Sequence, residues 1–171
     1  MVRHRGKYDP NKDEPYELSR GKIESFRKCP ACFWLERAKG IKFPSFPQFN
    51  LNTNTDTLLK KDFDKYRGKG PHPFMAANGL EHLQPYDHPD IFLWERSLHF
   101  GMNDQHFSVV HEQTNIRFGG GLDDVWEDIN TGRLHVVDYK STANLSAEPT
   151  PVSLEGPWKC AYKRQMDMYQ W

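Results

Sequence analysis

Apolar residues recur along this chain in two rhythms, helical at first and extended from about residue 91 onward. In the first part, spacings of three and four residues bring apolar side chains onto one helix face. Ser19 is a candidate N-cap for a helix running to about Lys28, with Ile23 and Phe26 on one face. Pro30 suits the first turn of a second helix over 31–39, closed by Gly40. Residues 43–53 read as a loop. Asp56 to Tyr66 reads as a third helix, with Leu58, Leu59 and Phe63 buried and Lys60 and Lys61 exposed. Gly, Pro and His crowd residues 68–89, which are expected to be irregular.

Strands are predicted over 91–99, 106–112, 115–127 (interrupted by three glycines) and 133–140. Residues 128–132 form a turn, with Asn130 and Gly132 where left-handed backbone is cheap. Residues 141–157 read as a Ser/Pro-rich loop, and Pro157 opens a last helix over 158–171. No repeat is visible. Residues 1–17 read as a polar arm and 18–171 as one domain. The expected fold class is α/β, a mixed central β-sheet flanked by α-helices.

Candidate chemistry gathers on the last two strands. Asp138 and Lys140 are two apart and share a face, while Tyr139 points the other way. A hairpin brings Asp123 beside them, with Asp124 as its competitor, since neighbours in a strand diverge. Magnesium and manganese prefer oxygen ligands. Asp123 and Asp138 supply carboxylates, and the Tyr139 carbonyl a third oxygen. Lys140 would orient a water or stabilise charge on a phosphate. The plainer alternative is a surface ion pair between Asp138 and Lys140. The apolar residues before them (Leu134, Val136, Val137) argue for a central strand, whose buried end would need a reason to hold charge. On the last helix, Gln165 and Tyr169 share a face, Tyr162 extends it, and Lys163 and Arg164 reach phosphates.

Composition narrows the class. The 171 residues suffice for a domain with a core, and 13% aromatics favour a folded one. Lys plus Arg and Asp plus Glu number 23 each, and a net charge of zero counts mildly against nucleic-acid binding. The charge is unevenly spread: the first forty or so residues are basic, and 121–157 is acidic. The chain lacks a run of about 18 apolar residues and an apolar signal core, so no membrane partner is expected and the location is expected to be cytoplasmic. Cys29, Cys32 and Cys160 are an odd set, expected as free thiols in a reducing compartment.

Four segments, in order, carry a resemblance. They are Leu18 to Pro30 with its Cys29-Pro30 step, Gly120-Gly121-Leu122-Asp123, Asp138-Tyr139-Lys140, and Gln165 to Tyr169. The array resembles the PD-(D/E)XK nuclease superfamily, most closely its RecB-like branch, which includes the CRISPR-associated adaptation nucleases. The resemblance implies a restriction-endonuclease-like core and a nuclease that hydrolyses phosphodiester bonds in DNA with Mg2+ or Mn2+. It favours Asp123 over Asp124 as ligand, makes Asp123, Asp138 and Lys140 catalytic, and gives Gln165 and Tyr169 to the site or the nucleic acid. Many relatives carry a further ligand His on a helix, and the resemblance implies that Asp56 would stand in for it as a metal ligand, alongside Asp123, Asp138 and the Tyr139 carbonyl. Three cysteines do not match the set that holds an iron–sulfur cluster in some relatives, so none is expected. Family members continue past the last helix with another strand, so the natural protein is expected to be longer than the segment ending at Trp171. Two alternatives stand beside this reading. One is a catalytically inactive nuclease-fold module for nucleic-acid binding or assembly. The other is a small zinc-binding domain using the cysteines and a His.

Overall fold

The computed structural model describes residues 7–42, 44, 50–100, 102–141, 153–156 and 159–171. The fold is mixed α/β and divides into two compact units, Met1–Phe46 with Asp90–Gly121, and Pro47–Pro89 with Leu122–Trp171. The first unit holds β1 (Tyr16–Ser19), α1 (Arg20–Lys28) and α2 (Pro30–Lys39). The chain then builds α3 (Asn50–Asp64), α4 (Pro73–Ala77) and β2 (Leu83–Pro85) in the second. It returns for α5 (Ile91–Glu95), α6 (Ser97–Phe100), β3 (Ser108–His111) and β4 (Ile116–Gly119). It ends in the second unit with β5 (Asp124–Asp128), β6 (Leu134–Val137) and α7 (Cys160–Gln170).

The strands expected in one central sheet are divided between two three-stranded sheets. One is ordered β1-β4-β3, with β1 parallel and β3 antiparallel to β4. The other is ordered β2-β5-β6 and is antiparallel throughout, so among the described residues β6, expected to be central, lies at the edge of its sheet with Leu134 exposed. The glycine run explains the division of the strand expected over 115–127. A Cβ on Gly119 would strike Met102 Sδ and lie 2.6 Å from the Phe107 carbonyl oxygen. A Cβ on Gly121 would lie 2.6 Å from the Glu95 carbonyl oxygen. Only glycine permits such approaches, and the ladder stops where they occur.

Other expectations change with local chemistry. Residues 91–99 are helical, not extended. The Asp90 carbonyl accepts from the Leu93 and Trp94 amides at 2.9 and 3.0 Å. The buried Ser97 hydroxyl donates to the Leu93 carbonyl at 2.9 Å and accepts from the Phe107 amide at 3.1 Å. A short apolar run does not by itself distinguish helix from strand. Helix α3 starts at Asn50, inside the expected loop, and Thr55 and Thr57 donate to the carbonyls of Leu51 and Thr53. Leu58 is exposed rather than buried, and so is Phe26. The segment expected to be irregular contains α4, capped by His72 Nδ1 accepting from the Phe74 amide, and β2. Tyr16 and Glu17, assigned to the arm, form the start of β1. Residues 1–6, most of 43–49, most of the 141–157 loop, and Pro157 and Trp158 lie outside the described residues.

The cysteines also differ from expectation. Cys29 and Cys32 are joined as a disulfide at the start of α2, leaving Cys160 as the free thiol. Zinc takes thiolates, so a disulfide removes both sulfurs from the expected zinc set. Among the described residues no helix is long and apolar enough to cross a membrane.

The core of the second unit is built on α3. Phe63 is buried and stacks on His72 and Trp126, with ring centroids 4.1 and 5.4 Å away. Met75 and Leu83 close the cluster, and Leu80, Trp126 and Tyr139 pack against it. Beside it lies a buried carboxylate. Asp124 is 1% exposed and accepts from Arg67 Nη1 at 2.9 Å, the Tyr139 hydroxyl at 2.7 Å and Trp126 Nε1 at 3.1 Å. The Val125 amide adds a bond at 2.8 Å. Burial and the Asp124 charge push the Tyr139 phenol well above its ordinary pKa, so it stays a donor.

Removing one partner of a buried charge pair leaves the other uncompensated. Asp124→Ala is therefore expected to lower the unfolding free energy by about 3–5 kcal/mol. Tyr139→Phe removes one bond to a charged acceptor and should cost about 1.5–3 kcal/mol. Urea denaturation of both variants measures this. Losses under about 0.5 kcal/mol, the range of ordinary surface changes, would show that the network does not hold the hairpin.

Candidate active site at the open end of the second sheet

The β5–β6 hairpin sets the site. Asp128 tightens its turn, its Oδ1 accepting from the Asn130 and Thr131 amides at 2.9 and 3.1 Å. Gly132 takes a φ of 69°, which glycine adopts freely. The ladder pairs Asp124 with Val137, so Asp123 and Asp138 stand opposite each other one step beyond it. Both aspartates thus lie just outside regular strand, at the open end of the hairpin. The Tyr139 amide donates to Asp123 Oδ2 at 2.9 Å and ties the two chain segments together there.

Side chains from four segments converge on this end. Lys140 Nζ pairs with Asp138 Oδ2. Gln165 Nε2, from α7, donates to Asp138 Oδ1 at 2.7 Å. Lys60 Nζ, from α3, lies 2.8 Å from Asp123 Oδ1 and 3.9 Å from Asp56 Oδ2. Lys140 Nζ also sits 5.4 Å above the Tyr162 ring and 3.4 Å from the Tyr139 carbonyl oxygen. Gln165 is 5% exposed, and its Oε1 is buried with no hydrogen-bond donor among the described residues.

Electrostatics follow from this crowding. Burial raises the Asp138 pKa, and contact with Asp123 adds to the rise, while Lys140 works against it. Burial likewise raises the Asp56 pKa, reinforced by Asp123 and opposed by Lys60.

The structure thus brings Asp123, Asp138, Lys140, Asp56 and Gln165 together, and it separates Asp124 into the buried network. Tyr139 contributes backbone here, while its ring faces Phe63 at 5.5 Å on the other side. Gln165 touches a carboxylate from a buried position. Tyr169, one turn further along α7, is half-buried, as is Arg164, and Lys163 is exposed. The residue missed from sequence is Lys60, expected in solvent but placed on Asp123. Its signal was the four-residue spacing from Asp56, which puts both on one helix face.

Among the described residues no three His, Cys, Asp or Glu side chains are gathered closely enough to hold a metal ion between them. The cysteines offer no such set. The donors that do face one another, two carboxylates, suit a hard, largely hydrated ion, since Mg2+ is often held by one or two carboxylates and keeps several waters. The buried, orphaned Gln165 Oε1 fits that set, as an acceptor for a water.

The raised Asp138 pKa has a sign. The folded chain holds this proton more tightly than the unfolded one. Ionisation therefore opposes folding, fully above the raised folded value and not at all below both values. Asp138→Asn is expected to raise the Tm of the metal-free protein at neutral pH. The gain should shrink as pH falls through the folded pKa of Asp138. Thermal melts across that range check it; a lower Tm at neutral pH would mean that the Lys140 and Gln165 contacts outweigh burial.

No family model matches the chain, and no curated protein or solved structure matches it either.

Proposed function

We propose that the second unit carries the active site of a metal-dependent nuclease hydrolysing phosphodiester bonds in DNA, on a restriction-endonuclease-like core. The observation that carries the reading is the meeting of Asp123 and Asp138 across the open hairpin end with Lys140 on the same carboxylate. A surface ion pair accounts for Lys140 and Asp138, but not for a second carboxylate placed opposite or for a buried Gln165 bound to the first.

In this reading Asp123 and Asp138 bind Mg2+ or Mn2+, which supplies an activated water and stabilises charge on phosphate when bound. Gln165 holds Asp138 by one oxygen and so fixes how its other oxygen faces. Lys140 stands at the half-exposed edge, paired with Asp138, and its ammonium would turn to the phosphate or the attacking water once a metal takes over that carboxylate. The Tyr139 amide keeps Asp123 in register with Asp138. Lys163 and Arg164 supply cations on α7 for the nucleic-acid backbone, and Tyr169 shapes the same face. The inactive-module reading gains from one contact, the Lys60 ammonium on Asp123, which neutralises a ligand without any metal.

Cleavage of single- and double-stranded DNA with Mn2+, with Mg2+ and with chelator tests the reading. Asp123→Asn, Asp138→Asn and Lys140→Ala should each lower the rate by about 10²-fold or more, the scale of losing one charge-stabilising group. Lys140→Ala should do so with metal affinity intact, because its contribution lies in the transition state. Cleavage that survives chelation, or survives Asp138→Asn, overturns the assignment. Absence of cleavage with intact DNA binding supports the inactive module.

The α7 cations have their own signature. Each phosphate contact contributes roughly 0.7–0.9 to the slope of log affinity against log salt. Lys163→Ala and Arg164→Ala should each lower that slope by about one unit or slightly less, measured by anisotropy in calcium. An unchanged slope in both variants moves the DNA path away from α7.

A further inference from the structure

We infer that Lys60 is the built-in counter-cation of the acidic pair, which a divalent ion must displace in order to bind, with Asp56 as the position that receives it. The inference rests on the metal reading above and assigns Lys60 and Asp56 positioning roles. It starts from α3. Phe63, three residues after Lys60, is locked in the aromatic stack of the core. The helix backbone at Lys60 is therefore fixed, while its flexible four-carbon stem gives the ammonium more than one rotamer. That ammonium lies 2.8 Å from Asp123 Oδ1, in the place a dication would need. The same nitrogen is 3.9 Å from Asp56 Oδ2, one helical turn earlier.

Two positive charges do not share one carboxylate oxygen without strong repulsion. Metal entry at Asp123 therefore requires Lys60 to leave. Asp56 offers it a second carboxylate at i−4, within reach by a change of rotamer. Asp56 thereby acts through Lys60 rather than as a ligand, which agrees with the lack of a three-residue metal cluster among the described residues. A second, independent feature marks the site as incomplete without a ligand. Gln165 Oε1, on the residue that grips Asp138, is buried with no donor among the described residues. Lys60 thus serves as a stand-in cation for Asp123 but leaves this acceptor unsatisfied.

Calorimetric titration of Mn2+ alone into the metal-free protein, in low salt, tests the exchange. Lys60→Gln should bind Mn2+ at least about tenfold more tightly than wild type, because a competing like charge is gone. Lys60→Arg keeps the charge and should bind as weakly as wild type. Asp56→Asn should weaken binding in the Lys60 background, since the ammonium loses its alternative seat, and change nothing in the Lys60→Gln background. That non-additivity separates a positioning role from ligation, which would weaken binding in both backgrounds. The Mn2+-induced rise in Tm, larger in Lys60→Gln than in wild type, gives a second readout if heats are small. Equal or weaker Mn2+ binding by Lys60→Gln overturns the inference and leaves the metal reading standing. Absence of binding by wild type and Lys60→Gln alike overturns the metal reading itself.

Discussion

The buried Asp124 carboxylate is the constraint around which the second unit is arranged. A carboxylate that deep is tolerated only when its oxygens are filled, and here Arg67, Tyr139, Trp126 and the Val125 amide fill them. The four donors come from three segments of the unit. Arg67 follows α3, Trp126 lies on β5, and Tyr139 follows β6. Satisfying one charge therefore fixes three segments at once. The alternation of extended backbone then sends the neighbouring Asp123 the other way, toward Asp138. Of the adjacent pair, Asp124 is taken into the buried network and Asp123 faces the open end of the hairpin. The same division occurs at Tyr139, whose ring serves the core while its amide serves Asp123.

The helices complete this arrangement by different means. Helix α3 is anchored through Phe63 and presents Lys60 one turn and Asp56 two turns earlier. Helix α7 lies against β6 and presents Gln165 from a buried position. The first brings a long, adaptable cation, and the second a short amide whose placement is set by burial. One carboxylate, Asp138, is thus held from α7 by Gln165, and the other, Asp123, from α3 by Lys60.

Much of this was legible in the chain before any coordinates. The turn at 128–132 was readable because Asp128, Asn130 and Gly132 each carry a local conformational reason to be there. The facing of Asp123 and Asp138 followed from a period of two and a short hairpin. Phe63 was readable as core from helical spacing. What could not be read was tertiary. The run from Ile91 is equally apolar as helix or strand, and the choice rests on the Ser97 hydroxyl and the Phe107 amide, ten residues apart. The glycines at 119–121 signalled close approach but not that the chain leaves one sheet for another there. Lys60 looked solvated because lysine usually is; its partner, Asp123, lies far along the sequence. Gln165 was singled out by pattern, whereas its bond to Asp138 depends on how α7 packs. The cysteine count did not disclose the Cys29–Cys32 bond, which the turn into α2 brings about.

Charge balance explains why the open end needs the rest of the unit. Among the described residues, three carboxylates, Asp56, Asp123 and Asp138, are linked through two ammoniums, Lys60 and Lys140. The pKa values of Asp138 and Asp56 are raised, with burial as the larger cause in both and the Asp123 charge adding to it. Such an assembly does not stabilise itself. It is held by the aromatic stack on Phe63 and by the network around the buried Asp124. Removing the repulsion by protonation or by a cation relaxes the site without altering that support. The two ammoniums are not equivalent in this balance. Lys140 is two residues from its partner on the same chain segment, so its pairing with Asp138 is local. Lys60 reaches Asp123 across the unit from a helix and has a second carboxylate within 3.9 Å.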